Sequence, residues 1–391
     1  MRCSSAPIDS GPNAPVRRGS SRRPMGPRLT QLSLLGVMVC LALVDSSHAG
    51  ALRTDLSKTL VPLEEIVSGG PPPDGIPAID RPNFVTSAEA DAWLKPKEPV
   101  VALEINGEAR AYPLQILMWH EIVNDTVGGR PVAVTYCPLC NSGLVFDRVV
   151  GGVTLDFGTS GKLYKSDLVM YDRQSHSLWA QMEGRAIVGE RAGTRLALIP
   201  ANTLAYEDFK AIYPGGKVLS RETGHDRAYG RNPYEGYDRP DSFPFLLRGV
   251  ADRRRPPKER VVGVLIAGTA RAYPWPVLEK QGVLHDTLGG EPLVIFHRLG
   301  ALSALDDSRM EQSRPIGATA VFSPVAAGKI LSFEPVAEGF RDKQTGSLWS
   351  LLGYATKGPL ASKRLKPIQH VDAFWFAWAA FNSSTSIYGV P

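Results

Sequence analysis

The stretch VVALEINGEARAYP at residues 100–113 returns 161 residues later as VVGVLIAGTARAYP at residues 261–274. The register is kept through DTVGG at 125–129 and DTLGG at 286–290. Self-similarity at one fixed offset is the sequence signature of a duplicated structural unit. The sequence therefore predicts two tandem copies of a unit of about 130 residues.

Each copy begins with alternating apolar residues around a glycine turn, a pattern typical of paired strands. The elements that we predict in copy one, and at the end of the chain, are a strand pair at 101–109, a helix at 114–123, strands at 131–136 and 144–148 around a turn at 137–143, a helix at 203–212 and a core-packed helix at 374–381. This order favours a β-rich α+β fold in which the two copies pack as a pseudo-symmetric pair.

The chain divides into five predicted segments. They are a signal peptide at 1–49, an entry segment at 50–99, copy one at 100–223, a linker at 224–260 and copy two at 261–391. The linker is rich in Arg, Tyr, Pro and Asp, which is typical of a solvated connection.

The first 49 residues are typical of an export signal. Six arginines and two aspartates lie before Gly50, so this segment holds +4 of the formal net charge of +5. The apolar run Leu32–Val44 is followed by the small-residue pattern Ser47-His48-Ala49. We expect a periplasmic or extracellular protein cleaved near Ala49. General or twin-arginine export, an uncleaved anchor, a lipoprotein cysteine at Cys40, and a start at Met1 or Met25 stay open. The nearly neutral remainder gives no support for a nucleic-acid partner, and its apolar runs are too short to span a membrane.

The two copies differ in the residues that could perform chemistry. His120 faces Gln281, Glu121 faces Gly282, and Cys137 and Cys140 face Arg298 and Ala301 at the offset of 161. At the offset of 170 that aligns DRQSHSLW at 172–179 with DKQTGSLW at 342–349, His176 faces Gly346. We therefore expect one functional site, in copy one.

Cys137-Pro-Leu-Cys140 is the strongest local signal, because cleavage near Ala49 would leave these two cysteines alone. A strand–turn–strand knuckle can point both sulfurs at a transition metal, and zinc or cuprous copper suits thiolate and imidazole ligands. A dithiol that exchanges disulfides is the second interpretation, and a purely structural pair is the third.

One cysteine pair supplies only two ligands. His120 and His176 are candidates to complete the metal set, and spacing alone does not decide between them and His297. His120 and Glu121 are also candidate catalytic residues, since a histidine beside a glutamate can act in acid–base chemistry. Asn124 stands where a zinc protease would carry its second histidine, which argues against that class.

The motifs resemble an exported prokaryotic family, domain of unknown function 3179. They are RAYP at 110–113, WHEIVND at 119–125, TYCPLCNS at 135–142, VFDR at 145–148, MYDR at 170–173, SLW at 177–179, NPYEGY at 232–237, GSLW at 346–349 and FWFAW at 374–378. The resemblance extends from about Asp74 to the end of the chain. It implies a secreted or envelope protein, and it carries His120, Glu121, Cys137 and Cys140 as motif positions without a role.

Three functions follow as expectations. The first is a zinc or copper site at Cys137, Cys140 and His120, catalytic or metal-handling, whose partner is a metal ion or an unknown small molecule. The second is a dithiol redox protein, and the third is a non-enzymatic envelope binding scaffold. The sequence leaves open whether the protein is an enzyme.

Overall fold

The computed structural model describes residues 51–390, so the predicted signal peptide lies outside the described residues. Strands dominate this part of the chain. In the first half they are β1 (Ile66–Ser68), β2 (Phe84–Thr86), β3 (Pro99–Ile105), β4 (Glu108–Pro113), β5 (Ile122–Val127), β6 (Arg130–Cys137), β7 (Ser142–Asp147), β8 (Val149–Val150), β9 (Val153–Thr154), β10 (Phe157–Tyr164), β11 (Asp167–Asp172), β12 (Leu178–Ala180), β13 (Arg185–Val188), β14 (Leu198–Ile199), β15 (Asn202–Ala205) and β16 (Lys217–Leu219).

The second half is also built mainly of short strands. They are β17 (Arg260–Ile266), β18 (Thr269–Pro274), β19 (Val283–Leu288), β20 (Glu291–Arg298), β21 (Ala318–Phe322), β22 (Val325–Ala326), β23 (Lys329–Ile330), β24 (Phe333–Val336), β25 (Gly339–Asp342), β26 (Leu348–Trp349), β27 (Ala355–Lys357), β28 (His370–Phe374) and β29 (Ser386–Ile387).

The helices are short. They are α1 (Ser87–Ala90), α2 (Leu114–His120), α3 (Tyr206–Ile212), α4 (Trp275–Gln281) and α5 (Trp375–Phe381), together with single 3₁₀ turns at Leu63–Glu65, Gln181–Glu183 and Met310–Gln312. Within residues 51–390, no helix is long and apolar enough to cross a membrane. The β-rich α+β class predicted from sequence is confirmed.

Three sheets organise the first half, in the strand orders β15-β3-β4-β16-β2, β14-β7-β6-β5 and β1-β10-β11-β12-β13. The second half contains the orders β28-β17-β18-β29, β19-β20-β21 and β24-β25-β26-β27. The strand pair β3–β4 and its counterpart β17–β18 are both antiparallel hairpins, as the repeated stretch predicts.

Equivalent polar contacts occur in the two halves. Arg110 Nη1 lies 2.6 Å from Asp125 Oδ2, which also accepts a hydrogen bond from the Tyr112 hydroxyl. Arg271 Nη1 lies 2.6 Å from Asp286 Oδ2, which also accepts a hydrogen bond from the Tyr273 hydroxyl. These contacts connect one hairpin to the next sheet in each half. The pseudo-symmetric arrangement as a whole stays a prediction.

Helix α2 is shorter than the sequence predicts. It begins after Pro113, whose φ of −60° suits a helix start, and it ends at His120. The predicted continuation to Val123 is wrong, because Glu121 takes a left-handed conformation and the next residues form β5. The predicted helix at 203–212 likewise begins later, at Tyr206, after the edge strand β15.

One apolar core joins the cysteine turn to the end of the chain. It contains Cys137 and Cys140 from the first half, and Trp375 and Trp378 from α5. The backbone amide of Phe374 donates to the carbonyl of Cys140 over 2.9 Å. The prediction that the aromatic C-terminal segment is a helix packed on the core is confirmed.

Candidate functional site

The two cysteines lie on a tight connection between adjacent strands. Cys137 ends β6 and pairs with Ser142 at the start of β7, so the Cys-Pro-Leu-Cys segment forms the turn of a hairpin. Cys137 is 2 % exposed and Cys140 is fully buried, and both are free thiols. The predicted strand–turn–strand geometry is therefore confirmed.

A third residue, Asp167, comes from the neighbouring hairpin. Lys165 and Ser166 form the two-residue turn between β10 and β11, both with the positive φ that such hairpin turns require. Asp167 follows directly and is fully buried. Its Oδ2 accepts a hydrogen bond from the Met182 amide at 2.8 Å, whereas no nitrogen or oxygen atom of a described residue donates to its Oδ1.

These three side chains form one compact group. The Sγ atoms of Cys137 and Cys140 and a carboxylate oxygen of Asp167 all lie within 4.8 Å of one another. Burial raises the pKa of both thiols, that of Cys140 most strongly, and raises the pKa of Asp167 to about 7. Three potential anions buried side by side favour either protons or a bound cation.

Glu121 lies at the end of α2 in an uncommon backbone conformation. Its φ is 58°, a region that non-glycine residues adopt only at an energetic cost. The side chain is 8 % exposed, and no described residue donates a hydrogen bond to its carboxyl group. Burial, with a smaller contribution from Asp167, raises the pKa of Glu121 to about 8. The residue thus combines local strain with a buried titratable group, a combination that is common at functional sites.

The Glu121 side chain faces a cavity of about 320 Å³. Most of the lining is apolar and comes from three parts of the chain: Gly69, Pro71 and Ile76; Leu139, Thr159, Gly161, Lys162, Leu163 and Leu168; and Tyr234, Tyr237 and Phe245. Leu139 belongs to the cysteine turn and Leu168 follows Asp167, so the cavity lies directly beside the thiol–carboxylate group.

His120 is placed differently from the expected metal ligand. Its Nδ1 lies 2.8 Å from the carbonyl oxygen of Pro77, and its Nε2 lies 2.6 Å from the hydroxyl of Tyr229. Nδ1 must donate to the carbonyl, which leaves Nε2 to accept from the tyrosine. Burial lowers the pKa of His120 to about 4, so the ring is neutral. Both nitrogens are engaged away from the two cysteines.

His176 lies in the turn between β11 and β12, where it has a φ of 55°. Its Nδ1 accepts a hydrogen bond from the Arg53 amide at 3.3 Å, and its ring centroid lies 5.9 Å from that of Tyr171. The structure therefore brings Cys137 and Cys140 together but groups neither His120 nor His176 with them. The ligand roles of the two histidines stay predictions.

Sequence reasoning missed Asp167 and the tyrosines of the predicted linker. At the offset of 170, Asp167 faces Ala337, so the same comparison of copies that singled out the cysteines contains this signal. The strand that Asp167 begins is also two residues longer than its counterpart β25. For Tyr234 and Tyr237 the sequence signal is weaker, because long-range packing alone brings this segment to the cavity.

Together, the fold and the site define a β-rich α+β protein with a buried thiol–carboxylate group beside an apolar cavity. The chain belongs to the family described as "Protein of unknown function (DUF3179)", whose profile matches residues 73–385. The predicted family membership is confirmed. Comparison with curated proteins and with solved structures gives no match.

Proposed function

We propose that Cys137, Cys140 and Asp167 hold one transition-metal ion that serves chemistry in the adjoining cavity. The observation that carries this proposal is the buried Oδ1 of Asp167, to which no nitrogen or oxygen atom of a described residue donates a hydrogen bond, while two buried thiols lie beside the side chain. An unsatisfied buried carboxylate oxygen is costly, by roughly 1–3 kcal/mol or more. A cation bound between the three groups would remove that cost.

The ligand chemistry favours zinc, with cuprous copper as the alternative. Two thiolates and one carboxylate are all established zinc ligands, whereas the carboxylate is a poor match for soft cuprous copper. Metal binding would displace the thiol protons, since a coordinated cysteine is deprotonated. Three protein ligands would leave one ligand to be supplied by water or substrate, as in catalytic rather than structural zinc sites.

Glu121 is the proposed acid–base group of this site. It faces the cavity, lacks a hydrogen-bond donor among the described residues, and has a pKa of about 8 that permits proton transfer near neutral pH. A buried carboxyl group in a left-handed conformation has no evident structural benefit. Its position beside the thiol–carboxylate group supports a catalytic function.

Metal analysis of the purified protein tests the proposal. Protein prepared without chelator should contain about one equivalent of metal, and Cys137→Ser and Asp167→Asn should each lose most of it, because each removes one of three ligands. Thermal unfolding with and without added zinc gives a second readout, since only the wild type should be stabilised. The proposal fails if the wild type binds no metal, or if the Asp167→Asn protein retains it.

The histidine variants provide matched controls and compare the two ligand sets. His120→Gln and His176→Gln should keep the full metal content, because neither side chain belongs to the group around Asp167. Loss of metal in His120→Gln together with retention in Asp167→Asn would instead support the ligand set expected from sequence.

The dithiol redox alternative has less support. Disulfide exchange needs an accessible thiolate, whereas burial keeps the pKa of Cys137 and Cys140 above the ordinary value. The binding-scaffold alternative predicts that substitution of both cysteines leaves ligand binding intact.

Export and duplication complete the proposal. The arginine-rich start and the apolar run at 32–44 support secretion with cleavage near Ala49, which the N-terminal sequence of the protein recovered from a periplasmic or culture fraction would test. The equivalent Arg–Tyr–Asp contacts of the two halves support an origin from one tandem unit.

A further inference from the structure

The cavity beside Glu121 has aromatic walls. Tyr234, Tyr237 and Phe245 line it, and the ring centroids of the two tyrosines lie 6.4 Å apart in an edge-to-face arrangement. Aliphatic side chains, among them Leu139 and Leu168, complete the lining. Aromatic surfaces pack best against another aromatic ring, through stacked or edge-to-face contacts. The walls therefore suit a planar, unsaturated body.

The size of the cavity limits the ligand to a small molecule. Its volume of about 320 Å³ lies at the lower end of the range of about 300–1,000 Å³ that is usual for ligand pockets. One substituted ring fits this space.

Besides the hydroxyl groups of Thr159 and the two tyrosines, the lining contains one carboxyl group and one ammonium group. Glu121 is more than nine-tenths buried, and no described residue donates to its carboxyl group. Lys162 lies on β10 and is partly exposed, and its ammonium forms no ion pair within residues 51–390. A complementary ligand would present a hydroxyl group to the carboxyl group of Glu121 and an anionic group to Lys162.

We propose that this cavity binds a single-ring aromatic acid that carries a ring hydroxyl, with the hydroxyl at Glu121 and the carboxylate at Lys162. This inference rests on the proposed function in one respect, namely that Glu121 faces the reacting molecule. The binding itself depends on the cavity and does not require the metal. Hydroxylated aromatic acids are thus the substrate class that we assign to the site.

Isothermal titration calorimetry of the whole chain with three probes tests the assignment. The probes are 4-hydroxycinnamate, cinnamate, which lacks the hydroxyl, and methyl 4-hydroxycinnamate, which lacks the charge. We expect the first to bind most tightly and each of the others about tenfold more weakly, since each loses one hydrogen bond to a charged or buried group.

Two variants assign the two ends of the ligand. Glu121→Leu should weaken 4-hydroxycinnamate about tenfold and leave cinnamate unchanged, whereas Lys162→Met should weaken both acids and leave the methyl ester unchanged. Lys217→Gln is the matched control, because Lys217 is exposed on β16 and does not line the cavity. The Lys217 variant should bind as the wild type does.

The outcomes separate this inference from the metal proposal. If 4-hydroxycinnamate does not bind, or if neither Glu121→Leu nor Lys162→Met changes its affinity, the assignment is overturned whatever the metal content. Binding with the expected pattern in chelator-treated protein supports the assignment even when the same preparation, analysed before chelation, contains no metal. In that case only the proposed metal function fails.

Discussion

Glu121 and Gly282 occupy the same backbone conformation at the ends of two seven-residue helices. Glu121 follows α2 with φ 58° and ψ −30°, and Gly282 follows α4 with φ 69° and ψ −36°. Glycine adopts this conformation without steric cost, whereas a glutamate is strained by its Cβ. The first half of the chain thus carries a buried acid where the second half carries the residue that the backbone favours.

The substitution Glu121→Gly should stabilise the protein. It removes the left-handed strain and a buried carboxyl group, so we expect the free energy of unfolding to rise by about 1 kcal/mol. Urea denaturation of metal-free protein at neutral pH measures the change. A loss of stability of similar size would show that Glu121 has a structural role.

Adding a side chain at the equivalent position of the second half is the control for Glu121→Gly. Gly282→Ala would place a Cβ about 3.0 Å from the Cβ of Pro335 in a backbone with positive φ. We expect it to lower the free energy of unfolding by about 1–2 kcal/mol, in the same urea assay.

Stability should depend on pH through Glu121. Its pKa rises from 4.5 to about 8 on folding, so the folded chain holds a proton that the unfolded chain releases. The stabilising contribution of this proton is complete below pH 4.5 and is lost as the pH rises towards about 8. Metal-free wild type should therefore lose at least about 1 kcal/mol more than Glu121→Gln across this window, as measured by urea unfolding at several pH values. Parallel pH profiles for the two proteins would contradict this prediction.

The two thiols should react slowly in the folded protein. Cys137 and Cys140 are buried and have raised pKa values, so little thiolate is exposed to a reagent. We expect thiol titration of metal-free, reduced protein to be at least about a hundredfold slower in buffer than in guanidinium. Fast reaction in buffer would favour the dithiol redox alternative.

Removing the equivalent tyrosine hydroxyl from each half tests whether the two hairpins are stabilised in the same way. Tyr112 donates to Asp125 at 2.6 Å, and Tyr273 donates to Asp286 at 2.8 Å. Tyr112→Phe and Tyr273→Phe should each lower the free energy of unfolding by about 1–2 kcal/mol, because each removes one hydrogen bond to a carboxylate. If the two losses in free energy of unfolding differ by more than about 2 kcal/mol, the two tyrosine–aspartate contacts are not equivalent.

Local signals in the sequence predicted much of the fold. Alternating apolar residues gave the hairpin at 101–109, and the small turn at 137–143 gave the strand–turn–strand arrangement of the cysteines. The end of α2 was misplaced because apolar spacing continues through Val123, and spacing does not reveal that Glu121 leaves the helical conformation. A single backbone angle therefore decided where the helix stops.

The site was predictable only in part, for a different reason. Cys137, Cys140 and Glu121 stand out because the other half lacks them, but their partners are set by contacts between distant segments. Asp167 reaches the thiols through a neighbouring hairpin, whereas His120 turns its ring nitrogens to Pro77 and to a tyrosine. Chain spacing carries no direct information on these pairings.

The segment at 224–260 connects the two halves of the chain and also forms one wall of the cavity beside Glu121. Tyr234 and Tyr237 line the cavity, and Lys258 Nζ lies 3.3 Å from the ring centroid of Tyr237 while donating to its carbonyl oxygen. We expect a protease cut or an inserted tag in this segment to disturb the aromatic wall of the cavity even if both halves stayed folded. All lining residues of the cavity lie between Gly69 and Phe245, so the first half must be produced together with this segment if it is to keep the aromatic wall.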